Sequence, residues 1–270
     1  MGAIDGTVLD FKRLERLAMA DTAVHRLDPR AKVLVTCAFI IAVVSFGRYE
    51  LTPLFPFFIF PAVMIALGDL PPRYIAAKIC LVLPFALAVG ILNPLFDREV
   101  VLRLGPLGVS GGWISCASIA VRAMLTVGAA LTLVGITGFP AICQALARLG
   151  MPQAFAVQLL FLYRYIFVLA EEGSRAARAR ELRSFGNKGV GVRSYGSLLG
   201  HLLVRTWQRA ERIHMAMLAR GFSGGFPLRR PSRFGAAEVL YLLGWSVFFI
   251  VLRLWNASQF LGALVMGICR

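Results

Sequence analysis

Apolar positions in the first half of the chain come in unbroken blocks rather than in alternation. Residues 31 to 46 (AKVLVTCAFIIAVVSF), 51 to 68 (LTPLFPFFIFPAVMIALG), 75 to 96 (IAAKICLVLPFALAVGILNPLF) and 113 to 137 (WISCASIAVRAMLTVGAALTLVGIT) are each almost wholly apolar. A bilayer core takes about 20 such residues as helix, because in lipid every backbone polar group must be bonded within its own segment. The four blocks are predicted membrane spans. Only GRYE separates the first two, which predicts a membrane hairpin, and Pro53, Pro56 and Pro61 predict a kinked or partly interfacial second helix. The loop DREVVLRLGPLGVSGG alternates apolar and polar residues between glycine turns, the pattern of a small surface β-hairpin.

From Gly138 to Gly235 the pattern changes, and no uninterrupted apolar stretch of spanning length occurs. FPAICQALARLG is a short helix with Pro at its start, Gly at its end and one apolar face. MPQAFAVQLLFLYRYIFVLAEEGSRAARARELRSFG predicts a long helix, apolar nearly all round in its first half and rich in Ala and Arg in its second. After the glycine-rich link GNKGVGVRSYG comes SLLGHLLVRTWQRAERIHMAMLARGFSGG. There Leu199, Leu203, Thr206, Ala210, Ile213 and Met217 recur at three- and four-residue steps, a stripe for a partner helix, and Gly221 supplies the stop. The apolar pattern resumes after Gly235 for one last span. The chain thus reads as an all-α integral membrane protein of about five transmembrane helices: an N-terminal segment (1 to 30), a four-span membrane domain (31 to 137), a region of amphipathic helices (138 to 235) and a C-terminal span (236 to 270).

Composition agrees. Hydrophobic residues make up 58% of the 270 and charged ones only 16%, below the quarter expected of a soluble domain. The net charge of +15 admits nucleic acid, anionic lipid or an acidic protein as partner, so the placement of the charges decides. Lys12, Arg13, Arg16, Arg26, Arg30, Lys32, Arg73 and Lys78 flank one side of the predicted spans and only Arg48, Arg98 and Arg103 the other, which places the N-terminus and the 138 to 235 region in the cytoplasm. The mixed charges of the first 32 residues are not those of a cleaved signal peptide, and MGAIDG lacks the Ser or Thr of a myristoylation site. Beyond Glu171 that region carries thirteen Lys and Arg against Glu171, Glu172, Glu181 and Glu211.

Arg175, Arg178, Arg180 and Arg183 crowd onto two and a half turns, with Arg209 and Arg212 adding to the basic face from the following helix. One arginine per helix end is accounted for by the helix dipole, about 0.3 to 1 kcal/mol. Small neighbours at Ala179 and Ala219 go further, since they let a helix end enter a narrow groove while Arg180 or Arg220 makes a forked bond to a carboxylate. An acidic protein groove, anionic lipid headgroups and plain solvent remain open as the counterpart of these arginines.

These residues also carry a resemblance. HRLDPRAKVL before the first span, NPLF closing the third, LARLGMP, and the triplets Ala179, Arg180, Glu181 and Ala219, Arg220, Gly221 resemble the transmembrane T components of energy-coupling factor (ECF) transporters, most closely the CbiQ branch associated with cobalt uptake. RAERIHMAMLARGF is the most specific match. The family's first triplet often ends in Gly where this chain has Glu181. The resemblance implies a bacterial inner-membrane subunit that couples two cytoplasmic ABC ATPases to a membrane substrate-binding subunit, with room for a small accessory membrane subunit. Helices 152 to 185 and 197 to 220 would be coupling helices, with Arg180 and Arg220 each inserted into one ATPase. ATP and Mg would be bound by those ATPases and cobalt by the substrate-binding subunit, with nickel or a vitamin as alternative cargo.

The remaining candidates fit a non-enzymatic subunit. No GxxxxGKS or GxxxxGKT phosphate loop occurs, which argues against ATP hydrolysis by this chain. His25, His201, His214 and the five scattered cysteines lack metal-ligand spacing, so no cofactor or metal is expected in the chain itself. Arg122 falls inside the fourth span, where an arginine costs roughly 2.5 to 3.5 kcal/mol, so a buried structural or partner contact is expected, with Asn93 or Asp97 as candidates. Arg164 among aromatics marks a headgroup boundary. Gly128, Ala129, Ala130 and Gly135, with Ala86, Ala88 and Gly90, allow close helix approach, for packing or for a partner's surface. A secondary carrier is disfavoured for lack of paired broken helices, and a membrane-anchored basic scaffold or lipid-binding protein is the remaining alternative.

Overall fold

The computed structural model describes residues 15–47, 50–96, 100–104, 107–183, 192–224 and 235–254. Lys12, Arg13, Arg48, Asp97, Arg98, Cys269 and most of the expected 186 to 196 link lie outside them. The described elements are helices α1 (Ala23–Arg26) and α2 (Pro29–Val44), a 3-10 helix (Thr52–Phe58), α3 (Ile59–Leu67), α4 (Pro72–Gly90), α5 (Asn93–Phe96), strands β1 (Val100–Leu104) and β2 (Leu107–Ser110), and helices α6 (Gly111–Thr137), α7 (Phe139–Arg148), α8 (Gln153–Arg183), α9 (Val192–Ala219) and α10 (Ala236–Leu254). They fall into two compact units, one of residues 1–15 and 139–231 and the other of 16–138 and 232–270.

In the second unit, Asp28 starts α2: its carboxylate accepts the Arg30 N–H at 2.9 Å and Pro29 occupies the first turn, where its missing N–H costs nothing. The expected kinked second span is a seven-residue 3-10 helix followed by nine residues of α-helix. Pro53 opens the 3-10 segment and Pro56 lies within it, and proline supplies no N–H for a regular α ladder. Phe39 of α2, Phe57 of the 3-10 helix and Phe60 of α3 pack with Phe249 of α10, the Phe39 and Phe60 rings 4.7 Å apart, and Trp245 stands edge-on to Phe60. The last span therefore closes on the first. β1 and β2 form the expected hairpin, antiparallel with Leu104 opposite Leu107.

Among the described residues four helices, α4, α6, α8 and α10, are long and apolar enough to cross a bilayer. The reading of about five differs at two places. α2 has only 16 residues and the proline-rich segment splits in two, whereas the apolar half of α8, assigned above to the cytoplasmic region, contains a window of spanning length. α6 packs tightly on α4 and α5 through small residues: a Cβ on Gly90 of α4 would stand 2.9 Å from Cys116 Sγ of α6, and one on Gly112 of α6 only 2.4 Å from the Pro94 Cα of α5. Gly90, Gly112, Gly128 and Gly135 thus serve helix packing, whereas Ala88 and Ala130 are exposed.

Asp97 lies outside the described residues, and Arg122 takes a partner other than Asn93. Its guanidinium donates to the Gly47 carbonyl in the turn after α2. Asn93 instead donates to Ser115 Oγ at 2.9 Å. Arg253 of α10 reaches the same turn, donating to the Ser45 carbonyl at 2.9 Å with its guanidinium 4.2 Å from the Phe46 ring centre. The Gly47 carbonyl also accepts the Glu50 N–H at 3.1 Å, so Arg122 and Arg253 both bond to backbone oxygens of one turn that follows the C-terminus of α2. Sequence spacing could not single out this acceptor, since a backbone carbonyl has no residue signature.

Candidate functional site

The Ala-Arg triplets lie in the unit formed by α7, α8 and α9. α7 ends as LARLG implies: Gly150 adopts a left-handed φ of 112° and the Met151 N–H returns to the Leu146 carbonyl at 3.1 Å. Phe139 of α7 stacks on Tyr163 of α8 at 4.9 Å, which anchors the start of the long helix. Arg164 is exposed between half-buried Tyr163 and Tyr165.

An ionic contact joins α8 and α9. The Glu172 carboxylate of α8, only 13% exposed, receives Arg209 at 2.8 Å and Arg205 at 3.8 Å, both from α9. Beside it Gly173 faces Leu202, whose methyl carbon would lie 3.9 Å from an added Cβ. A cleft of about 320 Å³ opens on one side of this point, lined by residues 158 to 169 of α8, among them Phe161 and Tyr165, and 206 to 217 of α9, among them Ile213 and Met217. The part of α8 before the contact thus faces the part of α9 after it, so the two helices run antiparallel. Of the predicted stripe, Thr206, Ala210, Ile213 and Met217 face α8 across this cleft, whereas Leu199 and Leu203 are exposed.

The antiparallel course separates the two triplets. Arg180 lies eight residues past Glu172 and Arg220 eleven past Arg209, about 12 Å and about 17 Å in opposite senses at the helical rise. The triplets also differ in backbone. Gly221 adopts a left-handed φ of 80° immediately after Arg220, and the Phe222 N–H closes on the Met217 carbonyl at 3.0 Å, so the third residue of that triplet is the helix stop. Glu181 lies within α8, which continues to Arg183, and that position needs no glycine.

The arginines do not form a single basic face. At 100° per residue Arg178 and Arg180 point about 160° apart. Arg175, Arg178, Ala179, Glu181 and Arg183 are exposed and Arg180 is half-buried. Arg212, Ala219, Arg220 and Gly221 are exposed on α9. Arg175 makes a long pair of 4.0 Å with Glu171 on its own helix, and Arg209 turns inward to Glu172 rather than outward with Arg212. Glu172 and Arg205 went unnoticed in the sequence, although a lone Glu facing an arginine pair at i and i+4 on a second helix is a legible signal once the helices are paired. Trp207, 75% exposed, was missed too. His201 and His214 are exposed, and among the described residues no three metal-binding side chains cluster.

A family model described as "Cobalt transport protein", CbiQ, matches residues 20–232, spanning both units and both triplets. The chain belongs to the CbiQ family. This CbiQ-family chain is 28% identical over 256 residues to the energy-coupling factor transporter transmembrane protein EcfT of Heliobacterium modesticaldum, covering 88% of this chain and 95% of that one. It is 29% identical over 159 residues to the cobalt transport protein CbiQ of Salmonella typhimurium, covering 54% of this chain and 70% of that one. A putative fused cobalt transport protein CbiMQ of Methanocorpusculum labreanum is 26% identical over 235 residues, 81% of this chain and 38% of the fused protein. With its four apolar helices, the chain is a membrane transport subunit of the ECF T-component type.

Proposed function

We propose that this chain is the coupling subunit of an ECF-type ABC importer of the bacterial inner membrane, with cobalt as cargo and its N-terminus in the cytoplasm. Arg180 and Arg220 each enter an acidic groove of one of two cytoplasmic ATPases, while the membrane unit holds a substrate-binding subunit. ATP and Mg belong to the ATPases and the cobalt ligands to the substrate-binding subunit. The observation that carries the reading is the placement of the two Ala-Arg triplets on opposite sides of the Glu172 contact of an antiparallel helix pair. Arginines on opposite sides of that contact suit two ATPases, each taking one. Cobalt rests on the family description and on the printed name of the Salmonella relative.

The test is co-purification of the chain with co-expressed ABC ATPases of its host, in the wild type and in Arg180→Glu, Arg220→Glu and the double variant. Each single reversal should weaken capture of the ATPases, the double should abolish it, and uptake of radioactive Co2+ should follow. Retention of both ATPases by the double variant overturns the reading. Parallel uptake of Ni2+ decides between the two metals. A second reading, binding of the helices to anionic lipid, draws on exposed Trp207 and Leu203 beside Arg205. It predicts that the isolated chain's α9 face is protected by anionic but not by neutral lipid, with no ATPase retained.

A further inference from the structure

The turn after α2 lies short of the far edge of a bilayer core. The 16 residues of α2 rise about 24 Å, against a hydrocarbon thickness of about 30 Å. α6 gives the same depth: about 20 helical residues counted back from Thr137 put that edge at about residue 117, and Arg122 lies about 7 Å inside it. Its side chain leans towards the start of its helix, hence towards the edge, and is long enough to bring the guanidinium to the level of the lipid headgroups. Two cations meet at this turn, Arg122 of α6 on the Gly47 carbonyl and Arg253 of α10 on the Ser45 carbonyl. A guanidinium carries five N–H groups, and each arginine gives one to the turn. Arg122 Nε is buried without a partner, and among the described residues neither arginine forms an ion pair. The carboxylate closest in sequence, Glu50, accepts the Gly47 N–H at 3.2 Å, so two arginines and one glutamate leave one net positive charge here among the described residues.

We infer that Arg122 and Arg253 bind the phosphodiester of an anionic phospholipid in the leaflet at the C-terminal end of α2, one free oxygen to each guanidinium, and that this lipid staples α6 and α10 to the α2 turn. A phosphodiester offers two oxygens for two forked donors, and the backbone bonds to Ser45 and Gly47 hold both donors in place before the lipid arrives. Arg253 is exposed and Arg122 half-buried, so the site is open to the bilayer. The acyl chains have apolar surface to lie on, since Ile41 and Val44 at the end of α2 and Ile250 and Leu254 on either side of Arg253 are exposed. That surface favours a lipid over a free phosphate, and the net positive charge favours an anionic headgroup over one whose own ammonium would meet two arginines. The site belongs to the membrane unit, apart from the basic helices α8 and α9, and holds for any cargo.

The experiment uses the full-length chain in phosphatidylcholine vesicles containing a minor share of phosphatidylglycerol with a photoactivatable headgroup, and maps the cross-linked peptides. The wild type should be labelled in segments 41 to 47 and 249 to 254. Arg122→Gln and Arg253→Gln should each lower that labelling about fivefold and leave labelling elsewhere unchanged, while Arg253→Lys keeps more of it. Unlabelled phosphatidylglycerol should compete; phosphatidylcholine and inorganic phosphate should not. Because the glutamine variants also loosen the turn, melting in neutral detergent supplies a readout that a merely structural role would not move. Phosphatidylglycerol should raise the melting temperature of the wild type more than phosphatidylcholine does, and that difference should vanish in Arg253→Gln whatever its starting temperature. Undiminished labelling of the turn in Arg253→Gln, or labelling confined to α8 and α9, overturns the site. Competition by inorganic phosphate as strong as by phosphatidylglycerol marks a soluble-anion site and overturns the lipid, and equal competition by phosphatidylcholine overturns the preference for anionic headgroups.

Discussion

Replacing Arg122 by leucine tests how the membrane unit holds the turn after α2. The substitution removes a charge-assisted hydrogen bond to the Gly47 carbonyl, a class of contact that contributes about 1.5 to 3 kcal/mol. Part of that loss is offset, because Arg122 Nε is buried without a hydrogen-bond partner and a leucine does not carry that cost. The net expected is a destabilisation of about 1 to 2 kcal/mol, which at about 2 to 4 °C per kcal/mol for a chain of this size lowers the melting temperature by about 2 to 8 °C. Arg253 holds the adjacent Ser45 carbonyl and covers Phe46, so Arg253→Leu should loosen the same turn. Once one arginine is gone the turn moves and the other loses its target, so the two losses should not add, with a coupling of at least about 0.5 kcal/mol. The assay is thermal unfolding in detergent of the wild type, both single variants and the double. An unchanged melting temperature for Arg122→Leu, or simple addition in the double, refutes the reasoning.

Three further perturbations follow from the same geometry. Gly112→Ala places a methyl group 2.4 Å from the Pro94 Cα, against backbone that cannot give way cheaply, and should destabilise the membrane unit by about 1 to 3 kcal/mol in the same melting assay. Gly221→Ala meets no neighbouring atom but forces a left-handed backbone on alanine, so it should cost about 1 kcal/mol and, by misplacing Arg220, weaken ATPase capture more than it lowers the melting temperature. His25, whose Nε2–H donates to the Leu17 carbonyl while Nδ1 accepts from Thr22 Oγ1, has its pKa held below the ordinary 6.5, chiefly by burial. The unfolded chain therefore takes up this proton first, so the stabilisation is fully present above pH 6.5 and is lost as the pH falls below it. Unfolding by denaturant at stepped pH should show that loss, and His25→Gln should flatten it.

Legibility in the sequence tracked the range of the interaction. The proline-rich break at residues 52 to 58, the hairpin of β1 and β2 and the glycine stop at Gly221 were read correctly because each rests on residues within a few positions of one another. The candidate docking arginines were legible for the same reason, since each triplet is a local feature of a helix end. Arg122 was legible only as an anomaly: its cost follows from its place in an apolar run, but its partner is a carbonyl 75 residues away.

Taken alone, the chain's alternation of apolar blocks with one arginine-rich amphipathic stretch determined that it is a helical membrane protein with its positive charge concentrated in one region, because burial in lipid and exposure of charge are set residue by residue. Which helices meet was decided only by tertiary packing. It brings α10 onto α2 through Phe39 and Phe249, and it makes α8 and α9 cross at Glu172 so that Arg180 and Arg220 point to opposite ends. The physical reason is that any of several apolar or charged faces could satisfy these helices singly. Shape complementarity among the buried rings, and the need of one buried carboxylate for cations from another helix, select a single pairing.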